Sequence, residues 1–243
     1  MGKLDGKVAL VTGANRGIGR SIARGFAREG ARLTTAARDA ALLEEAAAEL
    51  REMGAEVLAI PTDVTDEAQM ESLFSQHMER YGRLDVLVNN AGAFDGGALD
   101  ELTLAAWDKV MAVNLRGPFL GTRAAMRIMK PQGGGRIINV GSISAQRVRM
   151  NSAPYSTSKH GIWGLTQCTA LEGRPYGISA CALHPGNALT ERRAESTQPQ
   201  DREPMMTTDE LAETAVFMAC QPPHVCVLEA IVLPVEQLYV GRG

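Results

Sequence analysis

The chain has 243 residues, 45% of them hydrophobic, and a formal net charge of −3. That length suits one large domain or two small ones, with apolar residues enough for a substantial core. The balance of charge, with arginines scattered rather than clustered, argues against a nucleic-acid or membrane-surface binder, and no stretch approaches the roughly 20 apolar residues that cross a bilayer.

Short β-branched runs alternate with longer helical stretches. KVALVTG (Lys7–Gly13) reads as a buried strand, Gly17–Glu29 as a helix and Ala31–Ala37 as a second strand. Ala40–Met53, rich in Ala, Leu and Glu, is a helix, and AEVLAIP is a strand ending at Pro61. Asp66–Tyr81 is helical with Asp66 as its cap, and LDVLVNNAG (Leu84–Gly92) is a strand running into a turn. Leu104–Met129 reads as one long helix, kinked or locally repacked at Pro118. The pattern continues with a strand at Gly135–Ser142, a helix at Ala153–Gly173, a strand at Gly177–Leu183, a helix at Asp209–Cys220 and a last strand at Val227–Leu233.

Strict alternation predicts an α/β fold: a Rossmann-type, three-layer arrangement of a mainly parallel seven-stranded sheet with helices on both faces. There is no repeat and no linker, so residues 1–243 are expected to form a single dinucleotide-binding and catalytic domain. Glu191–Thr208 is polar, proline-containing and long for a connection, the profile of a binding loop, and a substrate loop is expected near 187–208. The N-terminus enters the first strand without an apolar leader. The four cysteines, at 168, 181, 220 and 226, form no CxxC pair and meet no metal spacing. Free, mostly buried thiols, no metal and a cytoplasmic location are expected.

The first strand empties into TGANRGIG (Thr12–Gly19), with glycines at 13, 17 and 19. A glycine turn between a first strand and a first helix lets backbone approach a pyrophosphate and presents the helix N-terminus to its charge. Dinucleotide binding is expected there, through Gly13, Asn15, Arg16, Gly17, Ile18 and Gly19. The second strand ends Ala36-Ala37-Arg38, without the acidic residue that would bind an NAD ribose. Arg38, with Arg16 nearby, suits a 2′-phosphate, so the expected cofactor is NADP(H). Asp39 is the residue that would argue otherwise, were it to reach the ribose.

Together these residues resemble the short-chain dehydrogenase/reductase family over nearly the whole chain, in its 3-oxoacyl reductase-like subgroup. TGANRGIG resembles the cofactor turn, Asp63-Val64 the pair that holds the adenine, and Asn89-Asn90-Ala91-Gly92 the motif after the fourth strand. Asn114, Ser142, Tyr155 and Lys159 resemble the catalytic tetrad, and Pro185-Gly186, with Ala188 and Thr190, the segment that clasps the nicotinamide carboxamide. The resemblance implies an oxidoreductase that interconverts a ketone and a secondary alcohol. Tyr155 and Lys159, four apart on a helix, share a face. A phenol titrates near about 10, and a neighbouring ammonium favours its ionised form. Tyr155 would act as general acid or base on the substrate oxygen, Ser142 would hydrogen-bond that oxygen, and Lys159 would also hold the nicotinamide ribose. By resemblance, Asn114 anchors a water linking Lys159 to solvent.

Several positions depart from the family pattern. Gly141 stands where many relatives have a second serine, and Asn187 where a hydrophobic residue is usual; Asn187 either touches a ligand or caps a turn. The chain ends LPVEQLYVGRG rather than in VDGG, which suggests a tail packed beside a neighbouring active site. Arg147, Arg149, Arg192 and Arg193 either receive an anionic substrate group or are surface charges. Gly133 and Tyr176 occupy the positions where carrier-protein reductases are basic, so a small ketone or 3-oxo acid derivative is preferred as substrate. An epimerase or dehydratase on the same scaffold, and a non-catalytic nucleotide sensor, are the alternatives; the first needs a longer chain and the second a broken tetrad. Relatives are tetramers or dimers built on their two long helices, so a homo-oligomer is expected, with Gly161 and Gly164 suited to close contact or to internal packing.

Overall fold

The computed structural model describes residues 2–196 and 203–239. A central parallel sheet is built from β1 (Val8–Thr12), β2 (Arg32–Ala37), β3 (Val57–Pro61), β4 (Val86–Asn89), β5 (Gly135–Val140), β6 (Ile178–Pro185) and β9 (Glu229–Val232), in the order β3-β2-β1-β4-β5-β6-β9. The order reverses between β1 and β4, which pair from Ala9↔Val86 to Val11↔Val88. That reversal is the switch point at which doubly wound sheets open a crevice at their carboxyl edge.

Side chains alternate along each strand, and both faces are apolar because both are covered. Ala9, Val11, Val88, Val140 and Leu183 pack with Ile22 and Phe26 of α1 (Gly17–Arg28), Leu50 of α2 (Ala40–Glu52) and residues of α8 (Thr208–Ala219). Leu10, Leu87 and Ile137 face the other way, against Met70, Leu73 and Phe74 of α3 (Glu67–Tyr81) and Leu120, Ala125 and Met129 of α5 (Gly117–Gln132). Helix starts are set by side-chain caps. Asp39 accepts the Leu42 N–H of α2 at 3.1 Å, Asp66 accepts the Gln69 N–H of α3 at 3.1 Å, and Thr207 with Glu210 forms a reciprocal capping box on α8.

The expected long helix is instead α4 (Leu104–Met111), a π-helical turn at Ala112–Arg116, and α5. Pro118, next to the start of α5, lacks an N–H, and the wider turn just before it absorbs the missing bond. The turn carries Asn114. β9 begins at Glu229 rather than Val227, because Gln221, Pro222 and Val225 direct their carbonyls to Arg136 Nη2, at 3.2, 3.3 and 3.0 Å.

The segment expected to be irregular has anchors of its own. β7 (Ala188–Leu189) pairs in parallel with β8 (Met206–Thr207), and α7 (Glu191–Ala194) lies between them. The part of the expected loop at 197–202 lies outside the described residues. All four cysteines are free, but Cys168 and Cys226 are exposed rather than buried. Gly161 packs internally as one reading expected, though against Leu115 of the π turn and not the sheet, whereas Gly164 faces open space.

Candidate active site

The glycine turn sits directly over the end of β4. Asn90 Nδ2 donates to the carbonyls of Thr12 and Gly13, at 3.0 and 3.1 Å, and Thr12 Oγ1 accepts the backbone N–H groups of Asn90 and Ala91. The contact is so close that a Cβ at Gly13 (φ +64°) would lie 2.8 Å from Ala91 Cα, and one at Gly19 would lie 2.2 Å from the Gly13 carbonyl. Glycine is the residue that permits this fold of the turn. Ile18 packs on the core, while Asn15 is half-buried and Arg16 exposed at the start of α1. The N-terminus of α1 already meets a negative group, for the Gly17 N–H donates to Glu191 Oε1 at 3.1 Å. A carboxylate thus stands where a phosphate oxygen would fit.

Arg38 is exposed just past β2. Asp39 is committed to capping α2. Asp63 folds into its own turn, accepting the Thr65 N–H at 2.9 Å and its hydroxyl at 2.8 Å, and Val64 is buried beside Gly117.

The four expected catalytic residues come from three elements at the same carboxyl edge. Ser142 follows β5; Tyr155 and Lys159 lie on α6 (Ala153–Gly173); Asn114 lies in the π turn. Lys159 is 5% exposed, and its Nζ donates to the Val140 carbonyl at 2.9 Å and sits 5.5 Å from the centroid of the Tyr155 ring. Burial pushes the Lys159 pKa down, with Tyr155 opposing the shift. Asn114, 1% exposed, brackets Ala93: its Oδ1 accepts the Ala93 N–H at 2.7 Å and its Nδ2 donates to the Ala93 carbonyl at 2.9 Å. The same Nδ2 reaches Ser158 Oγ at 3.2 Å, and Ser158 Oγ donates to the Tyr155 carbonyl at 2.7 Å. Asn114 therefore ties the loop after β4 to the turn of α6 that carries Tyr155.

Phe94, Asn139, Thr166 and His184 escaped the sequence reading. Phe94 stacks edge-on against Tyr155 with centroids 5.4 Å apart; the lone aromatic in a glycine-rich loop was its signal. Asn89 Nδ2 donates to Asn139 Oδ1 at 2.8 Å, and Asn139 Nδ2 to Thr166 Oγ1 at 2.9 Å, a buried chain that fixes α6 across β4 and β5. His184, fully buried on β6, lies with Nδ1 2.9 Å from the Ser142 carbonyl oxygen and 3.2 Å from its backbone nitrogen. A polar residue inside an otherwise apolar strand marked both Asn139 and His184.

Pro185 ends β6, and Gly186 is covered by the tail, where a Cβ would lie 2.2 Å from Gln237 Oε1. Ala188 is buried in β7, and Thr190 reaches Gly17 across the turn. The Asn187 N–H donates to Gln237 Oε1 at 2.8 Å and its Nδ2 to Glu203 at 2.8 Å, so its side chain joins two loops. The tail thus packs on the Pro-Gly turn of its own chain. It also closes a cavity of about 220 Å³ whose walls include Arg147, Arg149, Glu203 and Tyr239, with the Arg147 guanidinium 5.3 Å over the Tyr239 ring. Arg192 is exposed on α7 and Arg193 half-buried. Gly133 caps α5 with φ +83°, and Tyr176 lies under Lys130 Nζ at 4.6 Å.

Among the described residues no His, Cys, Asp or Glu cluster of metal-binding size occurs, and no helix is long and apolar enough to cross a membrane.

Residues 7–201 match the family model for short chain dehydrogenases. The chain belongs to that family. Among relatives of this short-chain dehydrogenase, the levodione reductase of Leifsonia aquatica is 35% identical over 241 residues, covering 97% of this chain and 90% of its own. The uncharacterized oxidoreductase YxjF of Bacillus subtilis is 37% identical over 247 residues, covering 93% and 96%. In three dimensions the dehydrogenase superposes on an actinorhodin polyketide ketoreductase solved with NADPH, at a TM-score of 0.87 and 34% identity, covering 96% of this chain and 98% of that one. The seven-stranded Rossmann-type sheet is the family's, and the enzyme acts on a CH–OH/C=O pair.

Proposed function

We propose that this short-chain dehydrogenase is an NADP(H)-dependent oxidoreductase that interconverts a ketone and a secondary alcohol, with Tyr155 as general acid and base. The observation that carries the reading is Lys159, a buried cation held by the Val140 carbonyl with its Nζ 5.5 Å from the Tyr155 ring centroid. A charge so placed stabilises negative charge as it develops on the phenol oxygen. When bound, the nicotinamide supplies or takes up the hydride. The chain's own part is to hold and move the proton. Tyr155 gives it to the carbonyl oxygen, or removes it in reverse, while the Ser142 hydroxyl hydrogen-bonds that oxygen. Asn114, through Ala93 and Ser158, fixes the loop and the helix turn that flank the phenol.

The residues fit a dinucleotide. The cradle at Gly13 and Gly19 has no room for side chains, and the α1 N–H at Gly17 already hydrogen-bonds a carboxylate. Preference for NADP(H) is supported by Arg38 and Arg16, and by Asp39, whose carboxylate is committed to α2 rather than offered to a ribose. The cavity beside Arg147 and Arg149 is the place for the substrate's remote end, which suits a small ketone or a 3-oxo acid derivative. We also propose that residues 1–243 act as one catalytic domain, in a homo-oligomer, in the cytoplasm, where the free thiols fit a reducing compartment.

The test is turnover of NADPH against NADH with simple ketones, 3-oxo esters and 3-oxo thioesters, for the native enzyme and Tyr155→Phe. NADPH is expected to be consumed with at least one carbonyl, and the variant to lose roughly 10²–10⁴-fold in rate with cofactor binding kept. Binding without turnover on every carbonyl, or an active variant, overturns the assignment.

A further inference from the structure

Two thiols that the proposed reaction does not use lie side by side. Cys181 is buried on β6 and Cys226 is exposed in the turn segment that leads to β9. Their Sγ atoms are 3.9 Å apart, and Cys226 Sγ donates to the Ala180 carbonyl at 3.3 Å. Arg136, at the foot of β5 and 5% exposed, stands next to them. Its Nη2 donates to three carbonyls, but its buried Nη1 has no hydrogen-bond partner among the described residues. Carbonyls solvate a buried guanidinium without neutralising it, so the site favours a negative charge nearby.

The thiols respond to that cation. The hydrogen bond from Cys181 pulls the Cys226 thiol down, with Arg136 adding to the shift, while the same hydrogen bond and burial push Cys181 up. Of the two, the exposed sulfur is therefore the one that ionises, giving up its hydrogen bond to the Ala180 carbonyl as it does so. A zinc site would need further ligands, and no cluster of three or more candidate ligands exists among the described residues.

We propose that Cys226 and Cys181 form a hydroperoxide-reactive dithiol, Cys226 attacking and Cys181 resolving, that closes to a reversible disulfide between β6 and the approach to β9. In the first step the Cys226 thiolate attacks one peroxide oxygen. The O–O bond breaks, Cys226 becomes a sulfenic acid, and the distal oxygen leaves as hydroxide, or as alkoxide from an organic hydroperoxide, taking a proton to become water or an alcohol. In the second the Cys181 sulfur attacks the Cys226 sulfur, an S–S bond forms, the S–O bond breaks, and the hydroxyl leaves as water with the Cys181 proton. Two thiols are oxidised by two electrons and one hydroperoxide is reduced, to two waters when it is hydrogen peroxide. The sulfurs must close from 3.9 Å to about 2 Å. The turn segment's first backbone hydrogen bond to β6 comes only at Leu228, whose carbonyl accepts the Ala182 N–H, so Cys226 itself is tied to β6 through its side chain alone.

The test treats the reduced full-length protein with hydrogen peroxide and reads intact mass and peptide maps, with Cys168, the other exposed thiol, as internal control. A mass loss of two hydrogens, reversed by dithiothreitol and mapped to a Cys181–Cys226 peptide, is expected. Dimedone is expected to trap Cys226 in Cys181→Ser, and Cys226→Ser to form no bridge; the latter change is at an exposed position and stays informative if the buried one fails to fold. In the native protein Cys226 is expected to be alkylated at least about tenfold faster than Cys168 at neutral pH. No mass loss, a bridge through another cysteine, or equal alkylation of Cys226 and Cys168 overturns the proposal. None of these readouts depends on turnover of a carbonyl, so failure of the reductase assignment leaves them intact.

Discussion

The imidazole of His184 fills the space that a side chain at Gly141 would need. A Cβ there would lie 2.4 Å from His184 Nδ1 and 2.6 Å from Cε1. The position before Ser142 is therefore glycine because of a histidine 43 places later, and the two are expected to vary as a pair. Gly141→Ala should cost about 1–3 kcal/mol of stability through overpacking. With His184→Ala in the same chain, part of that loss should return, a coupling of about 0.5–3 kcal/mol. Urea unfolding followed by tryptophan fluorescence checks this, since the Trp163 ring lies 6.0 Å edge-on from His184. Strictly additive effects would sink the pairing.

His77 makes stability depend on pH. It is fully buried, with Nε2 3.0 Å from the Arg83 carbonyl and Nδ1 2.8 Å from Thr34 Oγ1. A carbonyl only accepts, so Nε2 donates to it, and Nδ1 accepts from the threonine hydroxyl. The imidazole is thus held neutral, and burial lowers its pKa from 6.5 to about 4. Between those values the unfolded chain binds the proton and the folded chain does not, so stability falls as pH drops through the window. The shift corresponds to about 3 kcal/mol at its lower end. His77→Gln should show a shallower decline in urea midpoint between pH 7 and pH 4; parallel curves would remove His77 as the cause.

Glu191 competes for the N-terminus of α1. Its carboxylate accepts the Gly17 N–H at 3.1 Å, at the proposed pyrophosphate site. Removing that charge in Glu191→Gln should tighten NADPH binding roughly 3–10-fold at low ionic strength, with a smaller gain at high salt. Titration of NADPH fluorescence measures it. Weaker binding in the variant would mean that Glu191 helps hold the cofactor.

Cofactor choice should rest on Arg38. Arg38→Ala is expected to raise KM for NADPH about tenfold or more while leaving that for NADH within about twofold, because a guanidinium–phosphate pair is charge-assisted and lost only for the phosphorylated cofactor. Steady-state kinetics with both cofactors decides it. Equal effects on the two would place Arg38 away from the 2′-phosphate.

What could be read from the sequence divides along physical lines. Strands, helices and the glycine turn are local, so periodicity and caps revealed them: Asp66 caps α3 where expected, and Pro61 ends β3. The π turn at Ala112–Arg116 was only half visible: Pro118 signalled a local adjustment, but which backbone bonds widen to make it is set by packing and not by spacing. Asn114, Ser142, Tyr155 and Lys159 were singled out by their order in the chain, but the residues that hold them in place were not. Asn139 meets Asn89 from another strand, and Ser158 meets Asn114 from another helix, contacts between segments that no spacing rule encodes. Asn187 and the tail show the same limit, since their meeting joins residues 50 positions apart.

The short ladder of β7 and β8 has a consequence for how such an enzyme changes over generations. Ala188 pairs with Met206 and Leu189 with Thr207, and Ala188 and Met206 both sink into the core. The chain leaves the frame and rejoins it at one point, whatever it does in between. Outside Thr190, Glu191 and Glu203, which reach Gly17 and Asn187, the excursion can be rewritten, lengthened or trimmed while both its feet stay planted beside the Pro-Gly turn and α8. Sequence can therefore change there as a replaceable cassette, while the sheet edge that carries Ser142, Tyr155 and Lys159 is inherited without alteration.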